Sequence, residues 1–178
     1  MTRYFAFLRA INVGGHVVRM EALRDLFTGL GFSGVETFIA SGNVIFHAKS
    51  GKAADLEKRI EKQLESSLGY PVATFLRTDE ELAAVSRRQP FDAAAVQSAT
   101  AFCVGFLARP LEPAVHDTLM GLQTEIDDFH HDAREIYWLC KVRQSQSKIT
   151  NGLLERKLKV PMTFRSITTV TKLAQRVA

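Results

Sequence analysis

A chain of 178 residues, 46% hydrophobic and 24% charged, has the balance of a globular protein with a sizeable core. No apolar run approaches the roughly 20 residues of a membrane span, and the first apolar stretch, Tyr4 to Leu8, stops at Arg9, too short for a secretory signal; no membrane association and a cytoplasmic location are expected. The net charge of +4 is unevenly spread: residues 141–178 hold nine basic side chains against one acid, Glu155, a balance of +8 that leaves −4 on the preceding 140 residues and points to an anionic partner.

In chain order, residues 3–11 read as a strand. Over 20–30, Leu23, Leu26, Phe27 and Leu30 recur at helical spacing, and Gly31 marks the stop. Residues 35–40 and 44–47 form a hairpin turned at Ser41-Gly42-Asn43. Leu56, Ile60, Leu64 and Leu68, spaced by fours, define a helix over 55–68 that Gly69 ends, and 72–77 is the fourth strand. The order is βαββαβ. An Ala-rich helical connector (79–88) and a loop around Pro90 and Asp92 lead into a second round: strand 100–107, helix 112–122, a hairpin of 124–129 and 135–140 turned at His131-Asp132, helix 147–158, strand 162–164 and terminal helix 166–177. The expected class is α+β, two consecutive ferredoxin-like (βαββαβ) halves with a C-terminal helix: one half at 1–78, a helical connector at 79–98, and a second half with the basic helix at 99–178. A duplication follows from element order alone, since no sequence identity between the halves is visible.

The first strand of each half, Tyr4-Phe5-Ala6-Phe7-Leu8 and Ala101-Phe102-Cys103-Val104-Gly105-Phe106-Leu107, is apolar on both faces. One face packs on helices; the other also needs cover. Either the halves supply it to each other or a second protomer does, in a homodimer.

Two polar constellations stand out. Ferredoxin-like connectivity brings the end of the first strand and the tip of the first hairpin to one edge, gathering Arg9, Asn12, Gly14, Gly15, Ser41, Gly42 and Asn43 at a rim where glycine exposes backbone donors. The same residues also serve as ordinary turn formers, and both readings stand. In the basic tail, Ser147-Lys148 is read as opening a helix, while Arg165, Thr169 and Lys172 fall at i, i+4 and i+7 on one face. Lys141, Arg143, Ser147 and Lys148 are expected near Arg165, where hydroxyls, cations and helix N-termini suit an anion. The plainer alternative is that Ser147 and Ser166 cap helices and the cations are solvated.

Catalytic signatures are sparse. There is no GxGxxG, Walker loop or HExxH, and no cofactor motif. The His130-His131-Asp132 run is placed at a hairpin tip; adjacent histidines in extended backbone face opposite sides, so no metal site is expected there. His16 can act as a base for a ligand on the rim or sit in solvent. Trp138 and Tyr137 read as core or interface, and Cys103 and Cys140, each in an apolar run, as buried free thiols.

The motifs Phe7-Leu8-Arg9-Ala10-Ile11-Asn12-Val13-Gly14-Gly15, Phe38-Ile39-Ala40-Ser41-Gly42-Asn43-Val44-Ile45-Phe46 and Arg77-Thr78-Asp79-Glu80-Glu81-Leu82, with residues 163–173, resemble the bacterial domain-of-unknown-function family 1697. The resemblance spans nearly the whole chain and implies two ferredoxin-like halves, with no established activity. The tail departs from it: Arg165-Ser166-Ile167-Thr168-Thr169 stands where the family tends to read Arg-Asn-Trp-Asn-Thr. Two functional readings follow from the residues. The first is a binding or regulatory protein that engages an anionic small molecule or nucleic acid through the basic C-terminal surface. The second is an enzyme acting on a small phosphorylated or carboxylated metabolite at the Arg9/Asn12/Gly14/Ser41/Asn43 rim.

Overall fold

The computed structural model describes residues 1–12, 14–39 and 42–176, and the chain divides into two compact units, Met1–Leu82 and Ala83–Ala178. The first contains β1 (Thr2–Leu8), α1 (Met20–Gly29), β2 (Ser33–Thr37), β3 (Asn43–Ala48), α2 (Ala53–Leu68) and β4 (Thr74–Thr78), and the unit boundary falls inside α3 (Asp79–Arg87). The second continues with α4 (Ala93–Ser98), β5 (Ala101–Phe106), α5 (Pro113–Met120), β6 (Asp127–Asp132), β7 (Glu135–Cys140), a single 3-10 turn at Gln144–Gln146, α6 (Asn151–Leu158), β8 (Thr163–Ser166) and α7 (Ile167–Ala174). The antiparallel sheets run β2-β3-β1-β4 and β6-β7-β5-β8, the same order in each. This is the expected α+β class, with two ferredoxin-like units and a C-terminal helix.

Strand alternation explains each core. In β1, Tyr4, Ala6 and Leu8 point into the helix-covered face and pack with Leu23 and Phe27 of α1 and with Ile60 and Leu64 of α2. Phe5 and Phe7 point the other way and are equally buried, at 1% and 0% exposure; each buried phenylalanine contributes about 1.5–3 kcal/mol. The second unit gathers Leu119, Phe129, Trp138, Leu154 and Met162 in the same manner. Gly105 has no side chain because a Cβ there would lie 2.6 Å from the Phe164 ring.

Edge strand β4 is protected by α2. Leu76 N donates to Glu57 Oε1 at 3.0 Å and Thr74 N to Glu61 Oε1 at 2.9 Å. Two glutamates one helical turn apart thus meet alternate amides of the strand, which would otherwise be open to pairing.

Several boundaries differ from the sequence reading, each for a local reason. β1 ends at Leu8, three residues early, because Ala10 turns the chain at φ 55. The first hairpin closes with Phe38 N on Asn43 O, a wider turn than Ser41-Gly42-Asn43 alone, and Gly34 (φ 57) lies in the register shift between Ser33 and Glu36. Helix α4 replaces part of the expected loop. β6 begins three residues late, since Thr124 Oγ1 accepts from Ile126 N and Asp127 N in a turn; the hairpin then reverses at Ala133-Arg134, after His131-Asp132. α6 begins at Asn151, four residues late, with Thr150 as its cap. Residue 177, placed in the terminal helix from sequence, lies outside the described residues. Among the described residues, no helix is long and apolar enough to cross a membrane.

Candidate functional site

The rim forms where three segments of the first unit meet. Leu8 N donates to Gly42 O and Arg9 N to Ala73 O, both at 2.9 Å, so the β1 exit, the β2-β3 turn and the approach to β4 share one edge. Arg9 is half-buried there, and Gly14 and Gly15, at φ 64 and 83, are exposed on the following loop. Ser41 lies outside the described residues.

The other rim side chains are engaged in holding the loops. Asn43 is buried, and its Nδ2 donates to Phe38 O at 2.9 Å, clasping the hairpin. Asn12 Oδ1 accepts from Val18 N at 2.8 Å and closes the glycine loop. Tyr70 Oη donates to Ile11 O at 3.0 Å, and the His16 ring stacks on Tyr70 with centroids 3.8 Å apart. Gly42, at φ 82, packs so closely that a Cβ would meet Ile11 Cγ2 at 2.9 Å.

The second constellation is rearranged. Ser147 does not open α6: its buried Oγ donates to Asp127 Oδ2 at 2.8 Å and accepts from Ile149 N at 3.0 Å. Asp127 Oδ1 also accepts from Trp138 Nε1 at 2.9 Å, so Ser147 belongs to a buried network at the start of β6. Capping falls to Thr150, which accepts from Leu153 N. Arg165 does not share a helix face with Thr169 and Lys172; it is a β8 residue opposite Val104. Its Nη1 donates to Thr163 Oγ1 at 2.7 Å and to Phe164 O at 2.9 Å, and burial pushes the guanidinium down to about 10, still cationic at neutral pH. Since β6 and β8 are the two outer strands, roughly 14 Å apart at the usual spacing, Ser147 and Arg165 are anchored to opposite edges of one sheet. Thr169 is half-buried, with its amide on Ser166 Oγ, and Lys172 is exposed.

Arg165 has a counterpart in the first unit. Arg77 occupies the corresponding place on β4 opposite Phe5, is 1% exposed, and donates through Nη1 to the carbonyl of the preceding residue, Leu76, at 2.7 Å. The next residue in each unit is a hydroxyl that accepts an amide hydrogen three residues on: Thr78 from Glu81 N, Ser166 from Thr169 N. On this correspondence Phe7-Leu8 falls on Phe106-Leu107, and the Arg-hydroxyl pair recurs beside it.

Among the described residues from 141 onward, the exposed cations are Lys141, Arg143, Lys148, Arg156, Lys157, Lys159 and Lys172. Lys148 lies just before α6, Arg156 and Lys157 lie in its last turn and Lys159 at its C-cap, a span of about 12 Å along the axis. Arg156, Lys157 and Lys159 were absent from the sequence-based site, although the dense run Arg156-Lys157-Leu158-Lys159 marks them. Lys172 stands apart on α7, whose buried Val170 and Leu173 lie outside the core cluster that includes Leu119 of α5 and Leu154 of α6.

Cys103 and Cys140 are buried free thiols, and burial pushes both pKa values up. Gln144 Nε2 donates to Cys103 Sγ at 3.1 Å. Burial, chiefly, pushes the His131 pKa down. Among the described residues, no group of three or more His, Cys, Asp and Glu side chains could hold a metal ion.

The fold defines a class, proteins built from two ferredoxin-like units. Within it, a family model described as a protein of unknown function (DUF1697) matches residues 1–137, and the chain belongs to that family. Among solved structures it is similar to a conserved bacterial protein from Streptococcus pneumoniae, with 28% identity and a TM-score of 0.78 over 98% of this chain and 97% of that one. No curated protein matches.

Proposed function

We propose that the protein binds a polyanion, nucleic acid in the first instance, through the exposed cations Lys141, Arg143, Lys148, Arg156, Lys157 and Lys159 of its second unit. The observation that carries this is their exposure within a stretch holding one acid, Glu155, whereas most of the rim's polar side chains are engaged in closing loops. Exposed lysines and arginines neutralise phosphates and release condensed counterions, which supplies sequence-independent affinity. Buried Arg165 supports the fold, and Ser147 serves the Asp127 network. The recurrent Arg77-Thr78 and Arg165-Ser166 pairs favour a duplicated origin for the two units.

The test is fluorescence anisotropy of labelled single- and double-stranded oligonucleotides at low salt. The wild type is expected to bind, the Arg156→Glu/Lys157→Glu variant to bind at least about tenfold more weakly, and Arg9→Ala to bind as the wild type does. Absence of binding at low salt overturns the reading.

A second reading, an enzyme or receptor for a small phosphorylated or carboxylated metabolite, draws on the adjoining left-handed glycines: the exposed Gly14 and Gly15 beside Arg9 can present amides to an anion. Phosphate or carboxylate ligands that raise the melting temperature of wild type but not of Arg9→Ala would favour it.

A further inference from the structure

We propose that His116 and His131 form a two-nitrogen site for a divalent cation of the zinc or nickel type. His116 lies on α5 and His131 on β6, fifteen residues apart, and their Nδ1 atoms face each other at 3.2 Å. Two nitrogens held at about 2.0–2.1 Å from one ion are about 3.3 Å apart in a tetrahedral shell and about 2.9 Å apart in neighbouring octahedral positions. The observed separation falls between the two.

The outer nitrogen of His131 is placed to support this role. Its Nε2 lies 2.9 Å from Ala133 O, nearer than the 3.3 Å to Leu111 N. An Nε2–H donated to that carbonyl leaves the Nδ1 lone pair facing His116, the arrangement that fixes tautomer and ring direction in metal-binding histidines. The neighbouring His130 cannot join, because it sits on the opposite face of β6 across from Tyr137. The second ligand therefore comes from a helix, which adjacency in sequence does not reveal. Asp132 is paired with Arg88 at 3.4 Å.

With two protein ligands, the remaining positions belong to water or an exogenous ligand, so the site is open and exchangeable, unlike a closed structural zinc site. Imidazole donors select a borderline d-block ion over magnesium or calcium, which prefer oxygen. None of the cations proposed to hold nucleic acid lies on α5 or β6, so this inference stands or falls separately.

The experiment is titration of the full chain with zinc or nickel chloride by calorimetry in a non-coordinating buffer, with histidine 15N spectra of the wild type. One ion per chain is expected, with perturbed Nδ1 resonances of His116 and His131 and no response to magnesium. His116→Gln and His131→Gln should each weaken binding by about tenfold or more, while His130→Gln should leave it unchanged. The inference is overturned if the wild type takes up neither metal at millimolar concentration, if His116→Gln binds as tightly as wild type, or if zinc leaves both Nδ1 resonances unmoved.

Discussion

Gly42 and Gly14 have similar positive φ angles, 82 and 64, but different surroundings. At Gly42 a Cβ would press on Ile11 at 2.9 Å and on Leu8 Cβ and O at 3.2 Å; at Gly14 it would meet nothing within 4 Å. Gly42→Ala is therefore expected to lose about 2–3 kcal/mol from backbone strain plus collision, against about 1 kcal/mol for Gly14→Ala, where left-handed strain acts alone. Urea unfolding of the two variants checks the contrast. Both glycines are prominent in the sequence, but only packing separates the one that closes a turn from the one that leaves an amide in solvent. Asn43 was equally ambiguous: as a turn residue it could face a ligand, and its place at the first ladder position of β3 turned it inward to Phe38 O.

At the scale of elements, Ser147 and Thr150 show what local sequence can and cannot decide. Both are hydroxyls ahead of an apolar helical pattern, so either suits an N-cap. Asp127, twenty residues earlier, decides between them by taking the Ser147 hydroxyl into a buried network with Trp138. Thr150→Ala should cost about 1 kcal/mol, a lost cap, and Ser147→Ala about 2–3 kcal/mol, because a buried carboxylate loses a donor; thermal denaturation of the pair gives the order. Edge protection yields a similar prediction. Glu57→Ala removes the acceptor for Leu76 N and should destabilise the protein by about 2 kcal/mol, whereas Lys58→Ala, exposed on the same helix, should stay within about 0.5 kcal/mol.

For the whole molecule, element order was legible because the long helices α1 and α2 show apolar spacing of three and four and the central strands β1, β3, β5 and β7 are short, largely apolar runs between turn formers. α4 was missed because a helix of only six residues has no buried face to impose a period. β8 was shortened because its four residues abut a helix: Arg165, left between strand and helix, was counted on one helical face with Thr169 and Lys172, when its place opposite Val104 makes it a strand residue. That one misplacement changed the candidate site, turning the central cation of the tail into a buried structural group. Charge asymmetry survived it, since it depends on composition; what the structure added is which cations reach solvent.

The most direct test of the polyanion reading is the salt dependence of oligonucleotide affinity in wild type and in Arg156→Glu/Lys157→Glu. If six cations meet phosphates, log K should fall against log salt with a slope of about −4 for single strands and about −5.5 for duplexes, and the variant's slope should be shallower by about 1.5–2. An affinity independent of salt, or a slope unchanged by reversing both charges, would contradict a nucleic-acid surface on the second unit.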